Sequence, residues 1–344
     1  MAVGYDALIV VSFGGPEGPE DVEPFLDNVL RGRSVPQDRR DAVAAHYQLF
    51  GGRSPINDHN RALVAAVRAD LQAHGLDLPV YWGNRNWDPL LVDTVRQMGD
   101  DSVERALAFV TSAYSSYSSC HQYLDDISQA RDSVGPDAPQ IDKIRVFYNH
   151  PGFIEANADA VRAALATAGP AARVVFTAHS IPVAMAATCD YQAQLTEAAR
   201  LVMERVAAGG EVSWDVVFQS RSGPPTVPWL GPDVADHLAA LAGGSLDPVV
   251  VAPIGFVADH MEVVYDLDIE ARKVADELGL PMVRAATAGA HPAFVAMVRQ
   301  LVEERLDDQV PKLALGPDGP YHDLCHRGCC PPPAPRPAAG RSSR

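Results

Sequence analysis

The chain has 344 residues, 47% hydrophobic and 21% charged, which suits about two domains or one large α/β body and excludes disorder of the whole chain. Its 28 basic and 44 acidic residues leave a formal charge of −16, with lysine rare and no basic run, which argues against a nucleic-acid or anionic-lipid surface. No apolar run nears the roughly 20 residues that span a bilayer. Met1–Asp6 lacks the basic start and apolar stretch of a signal peptide, so a cytoplasmic chain without stable membrane insertion is expected.

Apolar runs of strand length recur with helical patterns between them. Strands are predicted at Asp6–Phe13, Pro79–Gly83, Arg105–Thr111, Lys143–Phe147, Arg173–Thr177, Trp214–Gln219, Pro248–Ala252 and Met282–Ala285. This alternation predicts parallel sheets with helices on both faces. The turn-rich GPDAPQ stretch at 135–140 reads as a join between two halves. Ala7–Pro16 echoes Arg173–Pro182, and Leu107–Asp125 echoes Val249–Asp266, as expected of two similar α/β units or of any two βα turns. Facing units would collect their strand-end loops in a shared cleft. The divisions expected are 5–133, 140–309 with a last helix able to pack back on the first half, and a cysteine-containing tail at 310–344, disordered after Cys330.

The first strand breaks into Ser12-Phe13-Gly14-Gly15-Pro16, where two glycines allow a ligand close to the backbone, or simply a tight turn. Arg31 and Arg33 offer guanidinium for carboxylates. Ser54 before Pro55 reads as a helix cap. Ser112–Tyr123 mixes hydroxyls with aromatic rings, suited to a large planar ligand with polar edges. Within it, Cys120 reads as a small helix residue. His179 leaves the end of an apolar strand, placed as a base, a metal ligand or a hydrogen-bonded structural histidine. Glu262, Asp266 and Glu270 recur every four residues on one helix face, either a solvated acidic face or a relay for protons or metal. Neither a P-loop nor a G-x-S-x-G elbow is present, which disfavours a phosphate-binding protein or a hydrolase. Cys189 stands alone, whereas Cys325, Cys329 and Cys330 crowd together, too few for a disulfide scaffold.

Eight motifs in order resemble the ferrochelatase family: SFGGP at 12–16, RGR at 31–33, GGRSPIN at 51–57, WGNRNW at 82–87, TAHSIP at 177–182, FQSRSGP at 218–224, PWLGPDV at 228–234 and PIGFVADHMEVVYDLD at 253–268. The likeness is greatest to the actinobacterial coproporphyrin III type. It implies two similar Rossmann-like halves with the active-site cleft between them, and insertion of Fe²⁺ into a porphyrin, here coproporphyrin III. Protoporphyrin IX is the alternative substrate, and a non-catalytic tetrapyrrole carrier the alternative role.

On this resemblance His179 accepts protons and contacts iron, and Glu262 faces it across the ring. Asp266 and Glu270 pass protons or metal. Ser54, Tyr123 and Arg31 bind propionates. Glu17 lies near a family tyrosine that ligates product iron, and His46 stands where relatives carry arginine. Some members hold a 2Fe–2S cluster, for which Cys189, Cys325, Cys329 and Cys330 are the implied ligands. His322 and His326 would make a zinc site with the same tail. A monomer meeting other haem-pathway enzymes transiently is implied.

Overall fold

The computed structural model describes residues 4–32, 35–206, 212–224, 226–244, 246–326 and 328–332. Arg33 and the end expected to be disordered from residue 333 onward lie outside them. The strands are β1 (Ala7–Ser12), β2 (Val80–Asn84), β3 (Arg105–Val110), β4 (Gln140–Lys143), β5 (Arg173–His179), β6 (Trp214–Gln219), β7 (Val249–Ala252) and β8 (Met282–Arg284). They form two four-stranded, wholly parallel sheets, ordered β2-β1-β3-β4 and β6-β5-β7-β8.

The continuous apolar run of β1 has every residue buried, as a central strand covered on both faces requires. Helices α1 (Val22–Val29), α2 (Gln37–Gln48), α3 (Ile56–Ala73), α4 (Leu91–Asp100) and α5 (Gln122–Val134) belong to the first half. In the second are α6 (Pro151–Ala168), α7 (Val183–Ala186), α8 (Tyr191–Val206), α9 (Val234–Ala242), α10 (Met261–Tyr265), α11 (Arg272–Glu277) and α12 (Pro292–Leu306).

In each sheet the chain leaves the central strand for one neighbour and returns to the other. The two reversals, beside β1 and beside β5, face a common cleft, where open α/β sheets bind ligands. α12 packs on both α6 and α3, with Arg299 paired to Asp70 at 2.9 Å and Arg305 donating to the Tyr5 hydroxyl at 2.6 Å. The last helix therefore ties the halves together.

One strand departs from expectation. The predicted Lys143–Phe147 strand is in fact Gln140–Lys143, the edge of the first sheet. The first half thus reaches Lys143 rather than ending at 133, and GPDAPQ is a helix–strand loop inside it. Ile144, Val146 and Phe147 are apolar because they are buried in the crossover between halves, where Phe147 stacks on Phe109 at 5.1 Å.

Arg145 lies in that crossover with its side chain 0% exposed, forked onto Glu304 of α12 by two 3.0 Å bonds. The pair also fastens the following segment. Arg145 donates to the Leu313 carbonyl at 2.8 Å, the Leu313 amide to Glu304 at 3.0 Å, and Asn149 to the carbonyls of Leu315 and Gly319. The cysteine-bearing tail thereby starts from a fixed point. No helix among the described residues is long and apolar enough to cross a membrane.

Candidate active site

The cleft has a volume of about 2590 Å³ and takes its walls from both halves. On the first half, β1 ends at Ser12 and turns through Gly14 with φ +79°. A Cβ there would sit 2.8 Å from the Asn84 side chain, so the turn needs glycine. Phe13, just after the strand, is 36% exposed and lines the cleft.

Ser54 also lines it. α3 begins at Ile56 with Pro55 in the cap position and no side-chain cap bond, so the expected capping role of Ser54 is not used and its hydroxyl stays beside Gly15. Tyr123 is buried, its ring under the Arg85 guanidinium at 4.7 Å. Arg85 in turn pairs with Asp126. Arg31 is at the mouth, bonded to Asn28 at 2.5 Å.

The second half supplies the titrating groups. His179 closes β5, and its Nδ1–H donates to the Ser180 carbonyl at 2.5 Å. That bond fixes the tautomer and leaves Nε2 as the bare nitrogen. Nε2 lies 3.7 Å from a Glu262 carboxylate oxygen. Glu262 opens α10, where its amide donates to the His260 ring at 3.2 Å.

Burial drags the His179 imidazole down, but the Glu262 carboxylate and the Ser180 carbonyl outweigh it and raise the ring above its ordinary value. Burial lifts Glu262, yet His179 and His260 hold it below the usual carboxylate range. Both shifts have one cause: the carboxylate favours the protonated imidazole, and the imidazolium favours the carboxylate.

The expected position of Glu262 across the ring from His179 is not what the structure has. A flat ring between them would need about 7 Å, two contact distances of ~3.5 Å. The 3.7 Å separation puts both groups on one wall, because β5 and β7 are neighbours in the same sheet. The opposing wall belongs to the first half, with Phe13, Ser54 and Tyr123.

Asp266 and Glu270 line the same cleft, though on a π-helical turn, Asp266–Ala271, rather than one continuous α-helix. Asp266 accepts from Ser220, and burial with the charges of Glu262 and Glu270 pushes it up to about 7 against that bond. Tyr265, directly before Asp266, stacks on His46 of α2 with ring centroids 3.6 Å apart. His46 is therefore engaged by an aromatic ring at the join of the halves. Glu17 is bound by Arg61 and by Asn57 at 2.7 Å and does not line the cleft; Phe13 does.

A ferrochelatase model matches residues 5–306 of the sequence. This chain belongs to the ferrochelatase family. It is 55% identical over 330 residues to a ferrochelatase of Rhodopirellula baltica, covering 95% of this chain and 93% of that one. It is 51% identical over 359 residues to a coproporphyrin III ferrochelatase of Streptomyces coelicolor, covering 97% and 96%. Among solved structures, SirB from Bacillus subtilis with Fe3+ superposes with a TM-score of 0.54 over 88% of this chain and 99% of that one, at 13% identity, a likeness of fold alone.

This ferrochelatase-family chain also gathers its thiols behind the cleft. Cys325, Cys329 and His322 bring their ligand atoms within 4.8 Å of one another, and Cys329 Sγ is 3.8 Å from Cys330 Sγ. The buried Cys120 lies beside Cys325, and that neighbouring thiol holds the Cys120 thiol below its usual range despite burial. The Cys189 thiol is bonded to the Met185 carbonyl at 3.4 Å within its own helical turn, although its charge is felt by Cys330. His322, not His326, shares the ligand group; their rings are 5.8 Å apart.

Cys120 and Arg85 are the residues that spacing alone missed. Cys120 reads as helix filler because its partner lies 205 positions away (325 − 120). Arg85 carried a signal, as an arginine directly after a strand.

Proposed function

We propose that this chain inserts ferrous iron into coproporphyrin III, giving Fe-coproporphyrin III. The observation that carries the reading is the bare His179 Nε2 set 3.7 Å from Glu262, at the head of an acidic row in a cleft large enough for a tetrapyrrole. The names of the relatives support the choice of porphyrin.

The chemistry follows from the wall. A free-base porphyrin gives up both pyrrole protons as iron enters. His179 Nε2 accepts a proton, and the resulting imidazolium is stabilised by the adjoining carboxylate. Asp266, poised near neutrality, takes the proton onward, and Glu270 delivers it to solvent. The same carboxylates and imidazole suit ferrous iron as weak ligands, so the ion is passed on rather than trapped. Ser54, Tyr123 and Arg31 take propionates on the first half. Phe13, in place of a ligating side chain, gives the opposite face of the ring an apolar seat.

Initial rates with Fe²⁺ and either coproporphyrin III or protoporphyrin IX test the assignment. Faster metallation of coproporphyrin III is expected. Faster turnover of protoporphyrin IX would overturn the substrate, and binding without metallation of either would leave a carrier.

The thiol group suits a 2Fe–2S cluster, which needs four thiolates. We assign Cys120, Cys325, Cys329 and Cys330 as its ligands, taking Cys120 in place of Cys189 because Cys120 neighbours Cys325 while the Cys189 thiol bonds within its own helical turn. A bound cluster would supply an electron-accepting centre, and these residues would hold it against the Ser116–Ser119 wall of the cleft. Purified protein is expected to be coloured, to lose that absorption on Cys120→Ser or Cys329→Ser, and to keep it on Cys189→Ser. A colourless protein with stoichiometric zinc would contradict the cluster.

A further inference from the structure

The substrate proposed above carries four carboxylates, and a chain of net charge −16 repels such an anion unless cations stand at the entrance. Several arginines are paired with carboxylates: Arg40 with Glu23 and Asp27, Arg61 with Glu17 and Asp58, Arg284 with Asp259 and Asp268. Three that line the cleft mouth, Arg31, Arg39 and Arg221, have no carboxylate partner among the described residues.

Two of these three meet across the halves, the side chain of one on the backbone of the other. Arg39, on the first turn of α2, donates to the Arg221 carbonyl at 3.3 Å. Arg221 follows Ser220, whose φ of +60° turns the chain out of the β6 line, and whose hydroxyl is held by Asp266. Among the described residues its guanidinium makes long bonds, 3.3 Å each, to the carbonyls of Pro224 and Val227. Both heads are exposed and lightly held, so an incoming carboxylate displaces little.

We propose that Arg39 and Arg221 form a carboxylate bracket bridging the two halves, which binds the propionates present in a four-carboxylate porphyrin and absent from a two-carboxylate one. It is separate from the propionate site of Ser54, Tyr123 and Arg31, which the first half carries alone. Guanidinium suits the task because its planar fork matches a carboxylate. Phosphate is excluded by nothing in that geometry, but the bracket opens into the porphyrin cleft. The inference rests on the coproporphyrin reading and names what selects that ring.

Fluorescence-quenching titrations with metal-free coproporphyrin III and protoporphyrin IX test it on the full chain. Arg39→Gln and Arg221→Gln are each expected to weaken coproporphyrin binding by about three- to fivefold, the range of an exposed ion pair. The double variant should lose about tenfold, with added salt narrowing its difference from wild type. The affinity ratio between the two porphyrins should fall accordingly, and Arg39→Lys should restore most of the loss from Arg39→Gln. A double variant with the wild-type ratio would overturn the bracket while leaving the substrate reading intact. A wild type that prefers protoporphyrin IX would overturn the substrate reading and the bracket with it.

Discussion

His179→Ala is expected to lower the rate of iron insertion by about 10²–10⁴-fold, the range of a positioned general base, while coproporphyrin III still binds within about threefold of wild type. The split follows from position. His179 sits at a strand end against Glu262, in the half opposite Ser54, Tyr123 and Arg31. Its removal takes away the proton acceptor and leaves the seat. Stopped-flow insertion rates beside equilibrium titrations separate the two quantities. Loss of binding in parallel with rate would mean that the histidine only shapes the cleft.

The pH profile carries the same sign. The base works unprotonated, and Glu262 raises its affinity for a proton. Insertion should therefore climb with pH through a midpoint above the ordinary histidine value of about 6.5. Glu262→Gln should bring that midpoint down, because the neutral amide no longer favours the imidazolium.

Arg145→Met is expected to destabilise the fold by about 3–5 kcal/mol, since it leaves the Glu304 carboxylate buried without its cation. For a chain of this length that is a fall of about 5 °C in the thermal midpoint. Arg145→Met with Glu304→Leu should recover most of the loss, because two apolar groups replace two charges. The pair's reach goes beyond the core, since Leu313, Leu315 and Gly319 hang from it and from Asn149. Faster proteolysis of the tail in Arg145→Met should accompany the lower midpoint. A single variant as stable as wild type would show that the pair contributes nothing net.

The sheets were legible because central parallel strands need unbroken apolar runs, as in Ala7–Val11 and Val174–Ala178, and the loops after them stand out by their polarity. One edge strand lacks that mark. β4 is Gln-Ile-Asp-Lys, weakly apolar, whereas the apolar Ile144–Phe147 that follows serves the join between halves. Periodicity put Glu262, Asp266 and Glu270 in one row, and all three do line the cleft, but it could not foresee the π-helical turn or which wall the row occupies. That depends on the adjacency of β5 and β7, a sheet-order property. The same limit hid the approach of Cys120 to Cys325 and the engagement of Glu17 by Arg61, each a contact between residues far apart in the chain.

The most direct test is a single turnover. Wild-type protein holding one equivalent of coproporphyrin III is mixed with ferrous iron without oxygen, in weak buffer with a pH indicator. The free-base spectrum should give way to that of the iron porphyrin as both pyrrole protons appear in solution. Bound porphyrin that keeps its free-base spectrum, with no proton release above the no-iron control, would contradict the account.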